Sequence, residues 1–253
     1  MARLAALLIV AALAAGCGWL PKPKDETAEW SASQFYSAAR AAMDEGDWEA
    51  AINHLETLEA RYPFGRYAQQ AQLEVAYAYY KYGEPESAIA AADRFIKLYP
   101  NHPFVDYAWY LKGLINFNRG SGFLDRFVPR DPARLDQEAL RHAYRDFAEL
   151  VRRFPASRYA RDARQRMVYL RNVMARHELV VAGFYLERGA YVAAARRAHE
   201  IIQRYEGTPA TADALAILVR AYRALGLPKL AADAERVLRL NFPDHPLARG
   251  RRG

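Results

Sequence analysis

Apolar and polar positions along this chain follow two patterns. Immediately after Met1-Ala2-Arg3, the run from Leu4 to Ala15 is apolar without interruption. Further on, apolar residues recur at helical spacing, as in Ala51-Leu55-Leu58, Ala88-Ala92-Phe95 and Ala194-Ala198-Ile201. An i, i+4, i+7 pattern places these side chains on one face of an α-helix, with polar residues on the other. The first run is too short to cross a membrane, which takes roughly 20 apolar residues. Together with its positive start and the small residues that follow, it reads as a secretory signal peptide over residues 1–16.

The helical part is periodic at a longer scale. Gly46 precedes Pro63 by seventeen residues, and Gly83–Pro100 and Gly226–Pro243 repeat that spacing. Gly189 has Glu206 at the matching place, without the proline. Five residues after each glycine stands an alanine: Ala51, Ala88, Ala194 and Ala231. The units also close alike, on Arg61-Tyr62-Pro63, Leu98-Tyr99-Pro100, Arg153-Phe154-Pro155, Arg204-Tyr205-Glu206 and Asn241-Phe242-Pro243. Each feature has a physical role. The glycine turns the chain between two antiparallel helices in a left-handed conformation. The alanine lets those helices approach, and the proline pushes the residue before it out of the α region, ending the second helix.

This is the tetratricopeptide pattern, in which helical hairpins stack into a superhelix with a groove. Trp48, Leu55 and Leu58 fill the larger packing positions of the first repeat, and Ala92 and Phe95 those of the second. The expected fold is all-α, a superhelical array of about five such hairpins. The first two are predicted at 32–62 and 67–99. The third has helices at 104–118 and 136–154, interrupted by a segment from Arg119 to Leu135. That segment is too long for a hairpin turn and is either functional or packed back on the array through Phe123, Leu124, Phe127 and Val128. The fourth is predicted to begin with a long helical region, 157–188, kinked near Arg176, and to end with 191–205. The fifth covers 209–242. Residues 17–31, with Pro21 and Pro23, read as a flexible tether. Repeats 1–3 (32–156) and 4–5 (157–243) form two parts, followed by a basic tail at 244–253 that is loose from Arg249 onward.

Charge separates those parts. The net charge of +7 is made of 17 Lys/Arg against 20 Asp/Glu in residues 17–157 and 18 against 9 in residues 158–253, with Arg3 outside both. The second part therefore suits an acidic partner or an anionic surface. A secretory signal argues against nucleic acid as the partner, so none is expected. The sole cysteine excludes an internal disulfide and a cysteine-based metal site. It stands directly after the signal, in Leu13-Ala14-Ala15-Gly16-Cys17, which resembles the bacterial lipobox, although the lipobox leucine stands one residue nearer the cysteine. That resemblance implies that Cys17 becomes the mature N-terminus and carries N-acyl and S-diacylglycerol groups. Anchoring by more than one chain is stable, because each buried CH₂ contributes about 0.8 kcal/mol. Gly18, in place of aspartate, implies sorting to the outer membrane.

No catalytic constellation is present. The six histidines are scattered, with no HExxH and no paired metal spacing, and there is neither a GxSxG nor a phosphate-cradling glycine loop. No enzymatic activity, metal or cofactor is expected beyond the acyl groups on Cys17.

More specific blocks narrow the family. They are Arg61-Tyr62-Pro63-Phe64-Gly65-Arg66-Tyr67-Ala68-Gln69-Gln70, Tyr77-Ala78-Tyr79-Tyr80-Lys81, Asp93-Arg94-Phe95-Ile96, His102-Pro103 with Asp106-Tyr107, Arg130-Asp131-Pro132, and Tyr185-Leu186-Glu187-Arg188-Gly189-Ala190-Tyr191. Over residues 17–243 the chain resembles the BamD family, a lipoprotein component of the β-barrel assembly machinery. The resemblance implies a lipid-anchored scaffold on the periplasmic face of the outer membrane. Its partners would be the periplasmic domains of BamA, other Bam lipoproteins and unfolded β-barrel proteins. In that family the N-terminal repeats offer a groove for substrate and the C-terminal repeats dock BamA.

Two surfaces follow. The first would be lined by Tyr62, Phe64, Tyr67, Tyr77 and Tyr80 with Arg66 at hand, suited to the aromatic C-terminal residue and free carboxylate of a barrel protein. The same tyrosines can instead pack between helices. The second draws on Arg188, Arg197 and Arg204. At 100° per residue, Arg197 and Arg204 lie beside the packing stripe of their helix, so either an ion pair with an acidic partner or a salt bridge inside the array fits Arg197. The competing reading is another tetratricopeptide lipoprotein or scaffold, linking cell division or a murein protease to the envelope.

Overall fold

The computed structural model describes residues 27–119 and 136–249. The signal peptide, Cys17, the tether up to residue 26, most of the interrupting segment and residues 250–253 lie outside the described residues. Among those described, the secondary structure is helical throughout. In chain order the helices are α1 (Ala32–Glu45), α2 (Trp48–Arg61), α3 (Arg66–Tyr82), α4 (Pro85–Leu98), α5 (Val105–Asn118) and α6 (Gln137–Arg153). They continue as α7 (Ala160–Glu187), α8 (Tyr191–Arg204), α9 (Ala210–Ala224), α10 (Pro228–Asn241) and the short α11 (Pro246–Arg249).

Local chemistry sets the ends. Ser31 and Gln34 form a reciprocal capping box at the start of α1, satisfying two of the backbone donors a helix leaves open. Gly46 and Gly83 end α1 and α3 in the left-handed region, at φ 79° and 93°, where a side chain would be strained. The residues ending α2, α4, α6 and α10 all precede proline and share ψ between 59° and 66°. Tyr205, followed by Glu206 instead, relaxes to ψ 34°. The alanine positions are the points of closest packing: Ala51, Ala88 and Ala194 are fully buried and Ala231 is 3% exposed.

Each helix packs on its sequence neighbours, and the first helices of successive hairpins also touch, α1 on α3, α3 on α5, and α7 on α9. The third hairpin closes despite its long interruption. Its helices meet where Gly113 of α5 faces the ring of the buried Phe147 of α6.

The long helix α7 runs unbroken through Arg176. Of the tail expected to be loose from Arg249 onward, residues 250–253 lie outside the described residues, and the chain just before it is held. Leu247 packs on the last hairpins, and His245 Nε2 lies 3.1 Å from Asp213 while its Nδ1 accepts from the Leu247 amide at 3.2 Å.

Candidate functional sites

The N-terminal candidates divide into two groups along α3. Ten residues separate Tyr67 from Tyr77, about 15 Å of helix at 1.5 Å per residue. At one end, Phe64 is 90% exposed on the turn after α2. Arg66 lies over the Tyr67 ring at 4.9 Å and donates to its hydroxyl at 3.2 Å. Tyr62, at the same turn, donates its hydroxyl to the Trp30 carbonyl at 2.7 Å. At the other end, Tyr77 packs edge-on against Trp48 at 5.9 Å, and the Tyr80 hydroxyl accepts from Asn118 at 2.6 Å. Tyr77 and Tyr80 thus serve packing between hairpins, while Phe64, Arg66 and Tyr67 present a surface.

Three further residues complete that surface. Tyr36 of α1 packs on Tyr67 at 5.5 Å and donates to Glu74 at 2.8 Å, with Arg40 3.7 Å from the same carboxylate. Burial, reinforced by Glu74, pushes the Tyr36 hydroxyl up to about 12, and burial also raises the Glu74 carboxyl. Sequence reasoning missed this trio. Tyr36 and Glu74 are 38 positions apart, and the contact depends on how one hairpin rotates on the next.

An aromatic and charged seam joins repeats 1–3 to the rest. Tyr110 stacks on Tyr159 at 4.8 Å and donates to Asp162 at 2.6 Å, while Tyr107 packs on Tyr159 at 5.5 Å. Asp162 also accepts from Arg166 at 2.6 Å. The seam holds the two parts in register through side chains on three segments.

In the second part, α6, α7 and α8 border a groove of about 900 Å³. Arg197 and Arg204 line it, joined by Arg141, Arg145 and Arg171, against Glu138, Glu178 and Glu200. Arg197 donates to the buried Glu178 at 2.8 Å and lies 3.5 Å from Glu200, forming a salt bridge inside the array. Arg204 reaches Glu200 only at 3.8 Å and its side chain is 71% exposed. Arg188 is elsewhere, exposed at the end of α7 and stacked 4.5 Å over Phe184. The three arginines therefore form no single patch. Arg141, Arg145 and Arg171 escaped sequence reasoning because they come from other helices. Among the described residues no cluster of three or more His, Cys, Asp or Glu residues is placed to hold a metal ion, and no helix is long and apolar enough to cross a membrane.

Stacked hairpins with side-chain-lined grooves define a helical-repeat protein of the tetratricopeptide class. The YfiO family, described as outer membrane lipoprotein, matches residues 28–238, and the chain belongs to that family. It is 46% identical over 229 residues to the outer membrane protein assembly factor BamD of Neisseria meningitidis serogroup B, covering 90% of this chain and 86% of that one. It is 41% identical over 249 residues to BamD of Xylella fastidiosa Temecula1, covering 98% and 85%, and 37% identical over 234 residues to BamD of Vibrio cholerae, covering 92% and 96%. Among solved structures, the MamA protein is similar at 18% identity and TM-score 0.31, covering 83% of this chain and 90% of that one.

Proposed function

We propose that this chain is a lipid-anchored scaffold of the β-barrel assembly machinery, working at the periplasmic face of the outer membrane. It supports folding and insertion of β-barrel proteins by contacting the periplasmic domains of BamA, other Bam lipoproteins and unfolded substrate, without catalysis or cofactor. The observation that carries this reading is the 46% identity to a BamD protein across 90% of the chain, which spans both candidate surfaces.

Anchoring rests on Cys17. Cys17→Ala protein is expected to leave the membrane fraction for the soluble periplasm and to incorporate no labelled palmitate. Retention in the membrane, or labelling of the variant, would contradict the anchor.

The surface of Phe64, Arg66 and Tyr67 with Tyr36 offers rings for an aromatic C-terminal side chain and an arginine for its carboxylate. Arg66 uses one N–H on Tyr67, and a guanidinium has five. Arg66→Glu is expected to weaken binding of a labelled barrel C-terminal peptide by about tenfold or more, the scale of a hydrogen bond to a charged group. Amidating the peptide should have a comparable effect on the unaltered protein. Equal affinity with the fold intact would remove this surface from the account.

For BamA docking, the exposed Arg188 and Arg204 are better suited than Arg197, whose charge Glu178 already holds. The double variant Arg188→Glu/Arg204→Glu should retain its melting temperature and recover less than half the BamA of the unaltered chain on affinity purification. Undiminished recovery would locate docking elsewhere.

A further inference from the structure

The second helices α2 and α4 border a cleft of about 490 Å³, with Val75 and Tyr79 of α3 between them. Its charged lining is Glu56 and Glu59 against one arginine, Arg94. Glu56 is engaged, accepting a hydrogen bond from the Tyr79 hydroxyl. Glu59 is not fully met. Its Oε1 is buried without a hydrogen-bond partner, and so is Oε1 of the neighbouring Gln72, itself 7% exposed. The Gln72 amide donates to Glu59 Oε2 at a long 3.4 Å, so the two unpartnered oxygens belong to neighbouring side chains, of which Glu59 lines the cleft. Arg94 comes no nearer than 3.9 Å to the same carboxylate, and its side chain is 67% exposed, beyond hydrogen-bonding distance. Burial raises the Glu59 carboxyl above the usual range, as expected of a carboxylate without adequate compensation.

We propose that this cleft is a docking site for a basic segment of a partner protein, with a lysine or arginine side chain entering between α2 and α4 to meet Glu59. A buried acceptor without a donor is costly and needs to be explained. A carboxylate only accepts, so what completes it must bring N–H groups, and an ammonium or guanidinium brings several together with the opposite charge. An acidic segment would meet two glutamates, and an apolar one would leave Glu59 unmet. A metal ion is disfavoured, since no cluster of three or more potential ligands exists among the described residues. Arg94 is the chain's own weak substitute, close enough to favour the ionised form of Glu59 and too exposed to satisfy it. The surroundings agree in sign: the described residues 27–119 hold 8 Lys/Arg against 12 Asp/Glu, a balance that favours a cationic segment. The cleft lies between second helices and so is separate from the aromatic surface of Tyr36 and Tyr67, which sits on first helices.

The probe is a fluorescently labelled ten-residue peptide of alternating lysine and alanine, titrated against the full chain by anisotropy at low salt. Binding should weaken as salt is raised, and an alternating glutamate–alanine peptide should not bind. Glu59→Gln, of unchanged shape, is expected to weaken the lysine peptide by about tenfold. Arg94→Ala should tighten it several-fold, and by more than Lys97→Ala, which removes the same charge from an exposed position on the same helix. The Arg94 comparison stands even if Glu59→Gln fails to fold. The proposal is overturned if Glu59→Gln binds like the unaltered chain, or if Arg94→Ala gains no more than Lys97→Ala. It is equally overturned if Glu187→Gln, an exposed change in the other half, weakens the peptide as much as Glu59→Gln, because attraction would then be a property of net charge alone.

Discussion

Lys112→Met is expected to destabilise the protein by about 3–5 kcal/mol at neutral pH, the usual cost of removing one member of a buried ion pair. Lys112 bridges three helices. From α5 its ammonium lies 2.7 Å from Asp93 of α4 and 3.3 Å from Asp146 of α6, and it rests 4.7 Å over the Trp109 ring. Lys112 and Asp146 are each only 11% exposed at the side chain. Without the ammonium, Asp146 would keep a single neutral donor, Asn116 at 3.0 Å. Methionine preserves the apolar stem, so the loss reports the charge. The variant should also respond to pH in a particular direction. Burial already raises the Asp146 carboxyl against the opposing pull of Lys112, and losing Lys112 raises it further. A group whose folded pKa is raised contributes stability below its unfolded pKa and loses it as pH rises through the folded value. Lys112→Met should therefore regain stability relative to the unaltered chain as pH falls from 7 toward 4. Adding Asp146→Asn should restore much of the loss at neutral pH. Denaturant unfolding at the two pH values measures both effects, and a deficit that does not change with pH would show that Asp146 is not the cause.

The second large effect concerns closure of the third hairpin. A Cβ on Gly113 would overlap three ring atoms of Phe147, nearer than atoms pack. The ring has little room to move, being fully buried with Tyr110 at 5.9 Å and Phe117 at 6.5 Å. Overpacking of this kind costs about 1–3 kcal/mol, while replacing a helical glycine by alanine returns roughly 0.5–1 kcal/mol. The clash wins. Gly113→Ala should destabilise by about 1 kcal/mol, a fall in Tm of roughly 2–4 °C at this chain length. Phe147→Leu in the same chain should recover part of it. A raised Tm for Gly113→Ala would mean that α5 and α6 are farther apart than the structure places them.

Both predictions concern contacts that the sequence does not reveal. Periodicity and the Gly–Ala–Pro spacing located every hairpin to within a few residues, because those signals act through local backbone geometry. The left-handed turns at Gly46 and Gly83 and the non-helical residues before Pro63 and Pro100 follow from one or two neighbours. Gly113 carries no such mark, since its reason for being glycine lies on another helix, 34 positions on. The functional surfaces were legible only in part. The Tyr-Pro-Phe-Gly block and Arg66 after it mark one end of the candidate groove, while the contacts of Tyr77 with Trp48 and of Tyr80 with Asn118, between hairpins, leave no mark in the sequence. Tyr36 and Glu74 complete the surface from positions no pattern connects. Arg197 shows the same limit from the other side. Its angle on the helix places it beside the packed face, and whether it pairs inward or outward depends on Glu178, across the hairpin.

The central claim, a scaffold of the β-barrel assembly machinery, is tested most directly by affinity purification of the full chain from detergent-solubilised envelopes, with copurifying proteins identified by mass spectrometry. The account predicts a roughly equimolar β-barrel protein bearing periplasmic repeat domains, together with smaller lipoproteins. Recovery of division or murein-processing proteins in place of that barrel partner would contradict it.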